Sequence, residues 1–371
     1  MKIVFWGTYD TGKPRTRILL RGLRENNVDL LECHSHVWSG VEDKSQLKGF
    51  LSKIKFVLTW VLSYPSLVIR YLLLPKHDTV IVGYLGQLDV LVIWPFAKMR
   101  GAKIVWDAFL SLYDTVVNDR KLATAKSLKG RLLYWLEWLS CRAADLVLLD
   151  TKAHSELFAQ LFKLNHSKTA SVWVGVEPEK FPIAKQKYHQ NQKEDLNVLF
   201  YGQFIPLHGI PFIIEAARLL KNERVTFTLI GIGQERERVL AMMEEEPLDK
   251  VIFIDWVDYG KLHHLIAKAD VCLGIFGDSA KASRVIPNKV FQIVQSGKPL
   301  ITMDSPAIRE LFADENTYIS LIEPASSEAL ADAIIYFLTN KDHLFEEAPY
   351  SRLREKINPQ SVGKMLVELL G

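Results

Sequence analysis

Short apolar runs separated by amphipathic stretches recur along the chain, with one long polar interruption near the middle. In the first half the runs are Lys2–Trp6, Val28–Cys33, Thr79–Gly83, Lys103–Asp107, Asp145–Leu149 and Ala170–Val174. Runs of this length, rich in Val, Ile and Leu and bounded by turn residues, predict strands buried on both faces. Between them Arg15–Glu25 and Leu128–Ala143 carry helical periodicity. Residues 177–196 are charged, hold two prolines and have no period, so they read as a connecting segment. The pattern then restarts at Asn197–Tyr201. It continues through Thr226–Ile230, Lys250–Ile254, Val271–Phe276, Pro299–Met303 and Thr317–Leu321. Helical patterns at Ile210–Lys221, Gln234–Glu245, Tyr259–Ala269 and Ser327–Thr339 separate these strands, and Pro359 to Leu370 forms a closing amphipathic helix. Strands alternating with helices predict a parallel, doubly wound sheet in each half.

The expected organisation is therefore α/β: two Rossmann-like doubly wound domains, residues 1–180 and 197–358, a linker at 181–196 and the closing helix at 359–371. Facing strand ends would leave a cleft suited to a two-substrate transfer. A chain of 371 residues is too long for one ordinary core, which agrees. With 49% hydrophobic and 24% charged residues it is globular, and a formal charge of +3 without a reading motif argues against a nucleic-acid partner. Cys33, Cys141 and Cys272 lie far apart and fit neither a disulfide framework nor a metal knuckle, which favours a reducing compartment. No signal peptide is expected, because Met1-Lys2-Ile3-Val4 goes straight into a strand.

One segment disturbs the soluble picture. From Phe56 to Leu74 the only charge is Arg70, and the length approaches that of a membrane span. A span there would place two strands of one sheet on opposite sides of a bilayer. Two readings remain: one or two helices lying partly in the interface, with Lys44, Lys48, Lys53, Lys55 and Lys76 facing anionic head groups, or an ordinary buried helix pair.

The most informative stretch for chemistry is Asp270 to Ser305. A strand leads into a polar loop, then a helix opens at Pro287, with Asn288 and Lys289 just past it and Arg284 three residues before. A helix start with free amides and two cations, at the C-terminal end of a strand, suits a phosphate group. Two glycine turns in the same half, Gly202 to Gly209 and Gly231-Ile232-Gly233, follow strands directly. They bring backbone close to a ligand or merely make the connection. The second lacks the third glycine of a dinucleotide fingerprint, so NAD is not supported. In the first half the loop Gly7 to Arg17 and the turn Trp106-Asp107-Ala108-Phe109 are the candidates. Arg15 and Arg17 contact a phosphorylated ligand or start a helix in water. Asp107 orients a hydroxyl or caps the next segment, and Asp114 and Asp150 are lesser versions of it; His34 and His36 read as structural. No Asp-X-Asp pair or His/Cys cluster calls for a metal.

In order, YGQFIPLHGIPFIIEAARLL (201–220), LIGIGQERERV (229–239), VIFIDWVDYGKLHHLIAKADVCL (251–273) and QSGKPLITMDSPAIREL (295–311) resemble glycosyltransferase family 4, retaining nucleotide-sugar transferases of the GT-B fold. The likeness covers nearly all of 197–340 and is looser before it, where GVEPEKF (175–181) looks like the family's entry to the linker. It implies transfer of a sugar from a nucleotide diphosphate (UDP- or GDP-sugar) to an acceptor held by the N-terminal domain. Carried onto this sequence, it places donor contacts at Gly202, Gln203, His208, Gly231, Gly233, Val257, Arg284, Asn288, Lys289 and Gln292. The residues themselves offer acceptor contacts at Gly7, Arg15, Arg17 and Asp107 and a catalytic set of Asp107, Arg284 and Lys289, with Asp107 near where the family often has a histidine. No metal or other cofactor is implied. Four positions depart from the family. Gln203 and His208 stand where arginine and lysine are usual, and Arg284 and Gln292 stand where two glutamates are usual. Arg284 and Lys289 would then supply the missing positive charge.

With the apolar segment and the aromatic helix RLLYWLEWL (131–139), the expectation is a cytoplasmic hexosyltransferase. It would be peripheral on the inner face of the membrane and act on a lipid-linked or glycan acceptor. The alternative is a nucleotide-sugar-binding protein with little transfer activity, a partner of an active transferase.

Overall fold

A computed structural model describes residues 1–38, 50–184, 195–312, 318–340 and 350–371, with residues 50–54 described as helical backbone only. Lys44, Lys48 and most of the expected linker lie outside the described residues. The elements run β1 (Lys2–Gly7), α1 (Pro14–Glu25), β2 (Asp29–His34), α2 (Phe50–Leu72), β3 (Thr79–Val82), α3 (Gln87–Met99) and β4 (Lys103–Phe109). Then come α4 (Leu128–Ala143), β5 (Leu146–Leu149), α5 (Lys152–Phe162), β6 (Thr169–Ser171), β7 (Leu196–Tyr201), α6 (Ile210–Leu219), β8 (Val225–Ile230) and α7 (Arg236–Glu245). They finish with β9 (Val251–Ile254), α8 (Leu262–Lys268), β10 (Val271–Leu273), α9 (Asn288–Ser296), β11 (Leu300–Met303), α10 (Pro306–Leu311), β12 (Ile319–Ile322), α11 (Ser327–Thr339), α12 (Ser351–Ile357) and α13 (Pro359–Leu370).

The chain divides into two compact units, Met1–Gly175 with Asn358–Gly371, and Val176–Ile357. Each holds one six-stranded sheet, ordered β2-β1-β3-β4-β5-β6 in the first and β12-β11-β10-β7-β8-β9 in the second. All the described ladders are parallel. These are two doubly wound, Rossmann-like α/β domains.

The two-residue period of the strands explains the layering of the first unit. Val4, Trp6, Val80, Val82, Ile104 and Trp106 point to one face, where they pack with Leu67 and Tyr71 of α2, Ile93 of α3 and Phe158 of α5. Ile3, Phe5, Ile81 and Val105 point to the other and meet Ile18, Leu19 and Leu23 of α1 and Val362 and Leu366 of α13. The closing helix therefore belongs to the first unit. Its contact with α1 is backbone to backbone: a Cβ on Gly22 would lie 2.3 Å from the Pro359 carbonyl oxygen, and one on Gly363 only 2.2 Å from Gly22 itself. No other residue type fits that crossing. In the second unit Leu196, Val198, Phe200, Phe227 and Leu229 pack against Ile210 and Ile214 of α6 and Ile334 and Phe337 of α11.

Several expected elements are shorter. The strand expected to run to Phe276 leaves the ladder after Leu273, because the following amides turn to other partners: Ile275 N–H donates to Thr302 Oγ1 (3.2 Å) and Phe276 N–H to the His208 carbonyl (3.2 Å). The helix expected over Tyr259–Ala269 opens with a 3-10 turn at Tyr259–Lys261. The apolar segment after residue 55 is part of one helix, α2, with Pro65 inside it. Tyr64, Leu67 and Tyr71 are buried against the sheet while much of the opposite face is exposed. Among the described residues no helix is long and apolar enough to cross a membrane.

Candidate functional site

In an open parallel sheet, ligands bind beyond the C-terminal strand ends where the strand order reverses. In the second unit that place lies between β7 and β10, since the chain proceeds from β7 through β8 to β9 and then returns on the other side. The residues that leave these two strand ends are Gly202 and Gly274.

Three glycines let the backbone close up here. Gly231 has φ +149°, and a Cβ on it would lie 1.9 Å from the Gly202 carbonyl oxygen; Gly233 has φ +155° and would meet the Phe204 carbonyl oxygen at 2.6 Å. Gly202, at φ +145°, faces side chains instead: a Cβ there would lie 3.1 Å from both His208 Cε1 and Lys289 Nζ. Gly231→Ala combines a forbidden φ with a backbone clash and is expected to cost about 1–3 kcal/mol from the backbone conformation alone. Thermal unfolding checks this, and an unchanged Tm would show that the turn relaxes freely.

His208 Nδ1 donates to the Gln203 carbonyl, which fixes the ring over the glycine turn. Lys289 sits in the first turn of α9, a helix capped by Pro287 without a side-chain cap. Its ammonium is buried, donates to the Gly274 carbonyl (3.2 Å) and lies 3.7 Å from the centre of the Phe200 ring. Burial pushes it well below the ordinary lysine value, and among the described residues no carboxylate pulls it back. Gln292, one turn along α9, is also buried. Its Oε1 accepts from the Tyr201 hydroxyl (3.0 Å), and its Nε2 lies 3.5 Å from the Tyr259 hydroxyl. Asn288 is half-buried at the start of α9, Arg284 is half-buried on the 3-10 turn Ala282–Arg284, Val257 is half-buried in the loop after β9, and Gln203 is exposed. The structure thus brings Gly202, His208, Gly231 and Lys289 into direct proximity. Arg236, not anticipated from the sequence, belongs with them. Its Nη1 donates to the Gly231 carbonyl (3.2 Å) and its Nη2 to Asp255 (2.6 Å), holding the second glycine turn from the side of α7. Its position three residues past Gly233 was the available signal.

The first unit has its own strand-order reversal, between β1 and β3. A cavity of about 380 Å³ lies there. Phe56 and Trp60 of α2, Leu88 of α3 and Leu136 of α4 line it, together with Trp38. Thr8 and Gln87 supply the polar part of the lining, and both are engaged by the protein. Thr8 Oγ1 donates to Asp89 and accepts from Trp60 Nε1 (2.8 Å), the Thr8 carbonyl accepts from Trp38 Nε1 (2.6 Å), and Gln87 Nε2 donates to Glu137 (3.2 Å). Asp89 is fully enclosed: it accepts from the Thr8 amide (2.7 Å) and the Tyr64 hydroxyl (2.6 Å), and burial raises its carboxyl above the ordinary value.

Asp107 and Arg15 are placed differently from the expected acceptor role. They are 1% and 2% exposed and bonded to each other, with Arg15 Nε and Nη2 donating to Asp107 at 2.6–3.0 Å. Arg15 Nη1 also donates to the Val172 carbonyl (2.8 Å), so the pair ties α1 to β4 and to the chain beyond β6. Burial raises the Asp107 carboxyl and the guanidinium opposes the rise. Neither group is open to a substrate in this structure. Gly7 is packed on Asp89, where a Cβ would lie 2.3 Å from Oδ2. Arg17 donates to the Gly12 carbonyl at the surface. Asp150 is buried and accepts from His154 Nδ1 (2.7 Å), and Asp114 is buried and accepts from Asn118 Nδ2 (2.7 Å).

Two parallel-sheet domains with a glycine-lined, cation-bearing strand-order reversal in the second define a GT-B architecture. Residues 195–340 match the family described as glycosyl transferases group 1. A stretch of 141 residues is 28% identical to the putative colanic acid biosynthesis glycosyl transferase WcaI of Escherichia coli (strain K12), covering 37% of this chain and 34% of that one. Another, of 91 residues, is 28% identical to an uncharacterized 41.2 kDa protein in the cps region of Klebsiella pneumoniae, covering 24% of each. The chain thus spans about a third or less of these curated relatives. The solved structures it is similar to include Anabaena HepE in complex with UDP-glucose, at a TM-score of 0.65 and 16% identity, covering 100% of this chain and 99% of that one. Sucrose-phosphate synthase of Thermosynechococcus elongatus superposes at 0.70 with 16% identity, covering 100% and 98%. The fold is that of GT-B glycosyltransferases, and with the matched domain it supports a glycosyltransferase.

Proposed function

We propose that this chain is a retaining, metal-independent hexosyltransferase. It moves a sugar from a nucleotide diphosphate, UDP- or GDP-linked, to a lipid-linked or glycan acceptor at the inner membrane surface. The observation that carries the reading is Lys289: a buried ammonium at a strand-order reversal, beside a glycine, with no carboxylate among the described residues pulling its titration back. A buried cation in that state favours an anion, and a diphosphate leaving group is one. The first amides of α9 and Lys289 would hold the phosphates, and the His208 ring and Gly202 would border them. Positive charge placed where the leaving group gains negative charge lowers the barrier to glycosyl transfer. The structure of HepE with UDP-glucose is in keeping with such a donor.

The membrane part of the proposal rests on α2, α3 and α4. Their outer faces expose Leu62 (72%), Leu73 just beyond α2 (79%), Met99 (78%) and Leu128 (75%). The exposed charges on the described residues of these helices are Lys55, Arg70, Lys98, Lys129, Arg131 and Arg142, all positive, whereas Asp89 and Glu137 are buried. Exposed apolar side chains and exposed cations on the same helices suit an anionic bilayer surface, although Lys98 is paired with Asp145.

A panel of UDP- and GDP-sugars, with thermal stabilisation and nucleotide release followed together in the presence of lipid-linked acceptors, tests the reading. Stabilisation by one donor, with release that requires acceptor, is the expected result. Stabilisation without release would favour the second reading, a binding protein. That reading draws on Gln292, whose amide is already engaged by Tyr201 where the family resemblance implies a glutamate.

A further inference from the structure

The first-unit cavity is apolar, and its few polar atoms are bonded within the protein. Both indole N–H groups, of Trp38 and Trp60, are turned to Thr8, so the rest of each ring is what a ligand would meet. Its volume of about 380 Å³ falls within the roughly 300–1,000 Å³ of small-molecule sites. A space lined this way recognises hydrocarbon rather than a sugar ring, whose hydroxyls would find no partners.

Its walls come from helices that also carry exposed apolar residues. Phe56 and Trp60 line the cavity, and Leu58, Val61 and Leu62 on the same helix are exposed; Leu136 lines it, and Leu132, Trp135 and Leu139 beside it are exposed. Exposed cations lie on the same helices, among them Lys55 and Arg70 on α2 and Lys129 and Arg131 on α4. We infer that the cavity receives the hydrocarbon chain of a lipid-anchored acceptor, which passes into it from an anionic bilayer on which α2, α3 and α4 rest. The inference rests on the transferase reading for what becomes of the lipid, but chain binding itself needs no turnover. The polar head would lie toward the C-terminal ends of β1 and β3, which places the reacting group at the strand ends and the anchor among the helices.

The test titrates the full-length protein with hexyl, octyl and decyl phosphate below their micellar concentrations, following tryptophan fluorescence and binding heat. Each added methylene is expected to tighten binding about four-fold until the cavity is filled. Leu136→Trp, which occupies the space, is expected to abolish that dependence while stabilisation by the donor nucleotide, UDP or GDP, read in the second unit, persists. Leu88→Phe is a smaller filling and serves if Leu136→Trp does not fold. Leu62→Asp, on the outer face, should keep the chain-length dependence and lose binding to vesicles rich in anionic lipid. Affinity that ignores chain length, or that survives a folded filling variant, overturns the proposal; so does loss of the dependence in Leu62→Asp, which would put the chain outside. If neither UDP nor GDP stabilises the wild-type protein, the donor reading falls while the alkyl series still decides the cavity.

Discussion

Lys289→Met should weaken nucleotide-diphosphate binding roughly 10- to 150-fold and at the same time make the unliganded protein more stable. The first figure is the loss of one charge-assisted hydrogen bond, about 1.5–3 kcal/mol. The second has the opposite sign because methionine keeps the volume over the Phe200 ring and removes a cation that burial disfavours. A gain of about 1 kcal/mol corresponds to roughly 2–4 °C in Tm for a unit of this size. The pH dependence follows from the depressed lysine. Below its folded value, the wild-type protein carries the full penalty of a buried charge. Between that value and the ordinary value near 10.4, the unfolded chain binds a proton that the folded chain does not, so wild-type stability rises with pH. The advantage of the variant should therefore shrink as pH is raised. Donor binding restores the charge, so above the depressed value it should take up a proton, seen as a buffer-dependent binding enthalpy that Lys289→Met lacks. A variant that binds donor as the wild type does would remove Lys289 from the site.

What the sequence shows of all this depends on how local each feature is. The strands at Thr79–Gly83 and Asp145–Leu149 are legible because a run of Val, Ile and Leu bounded by polar residues has few other uses. Pro287-Asn288-Lys289 is legible as a helix start, and Lys289 as a cation beside it. That the ammonium is buried against Phe200 is not legible, since it depends on how β7 and α9 meet across 88 residues. The cavity is less legible still: Thr8, Phe56, Leu88 and Leu136 come from four elements, each residue being ordinary in its own. The closing helix is readable as amphipathic, but its assignment to the first unit comes from the packing of Val362 and Leu366 on β1 and α1 and from the meeting of Gly22 and Gly363. Arg15 and Asp107 carry the sharpest lesson. In sequence, a cation at a helix start and an acid at a strand end both look offered to a ligand. Separated by 92 residues, they are instead offered to each other.

That pairing makes the second large prediction. Arg15→Met leaves the Asp107 carboxylate buried without its guanidinium and the Val172 carbonyl without its donor. Breaking one side of a buried pair costs about 3–5 kcal/mol, so Tm should fall by roughly 6–20 °C. The double variant Arg15→Met/Asp107→Leu removes both charges and should recover most of that loss, because two matched apolar side chains carry no uncompensated charge. The double variant also separates two roles for Asp107. If the carboxylate only ties α1 to β4, the refolded double variant transfers sugar at a rate close to that of the wild type. If it reaches the acceptor hydroxyl during turnover, the double variant folds, binds donor normally and is inactive. The buried, bidentate geometry argues for the first outcome: a carboxylate that already accepts from Nε and Nη2 of one arginine has no exposed lone pair with which to take a proton. A stable but inactive double variant would return Asp107 to the reaction and require the Arg15 contact to open when the acceptor binds.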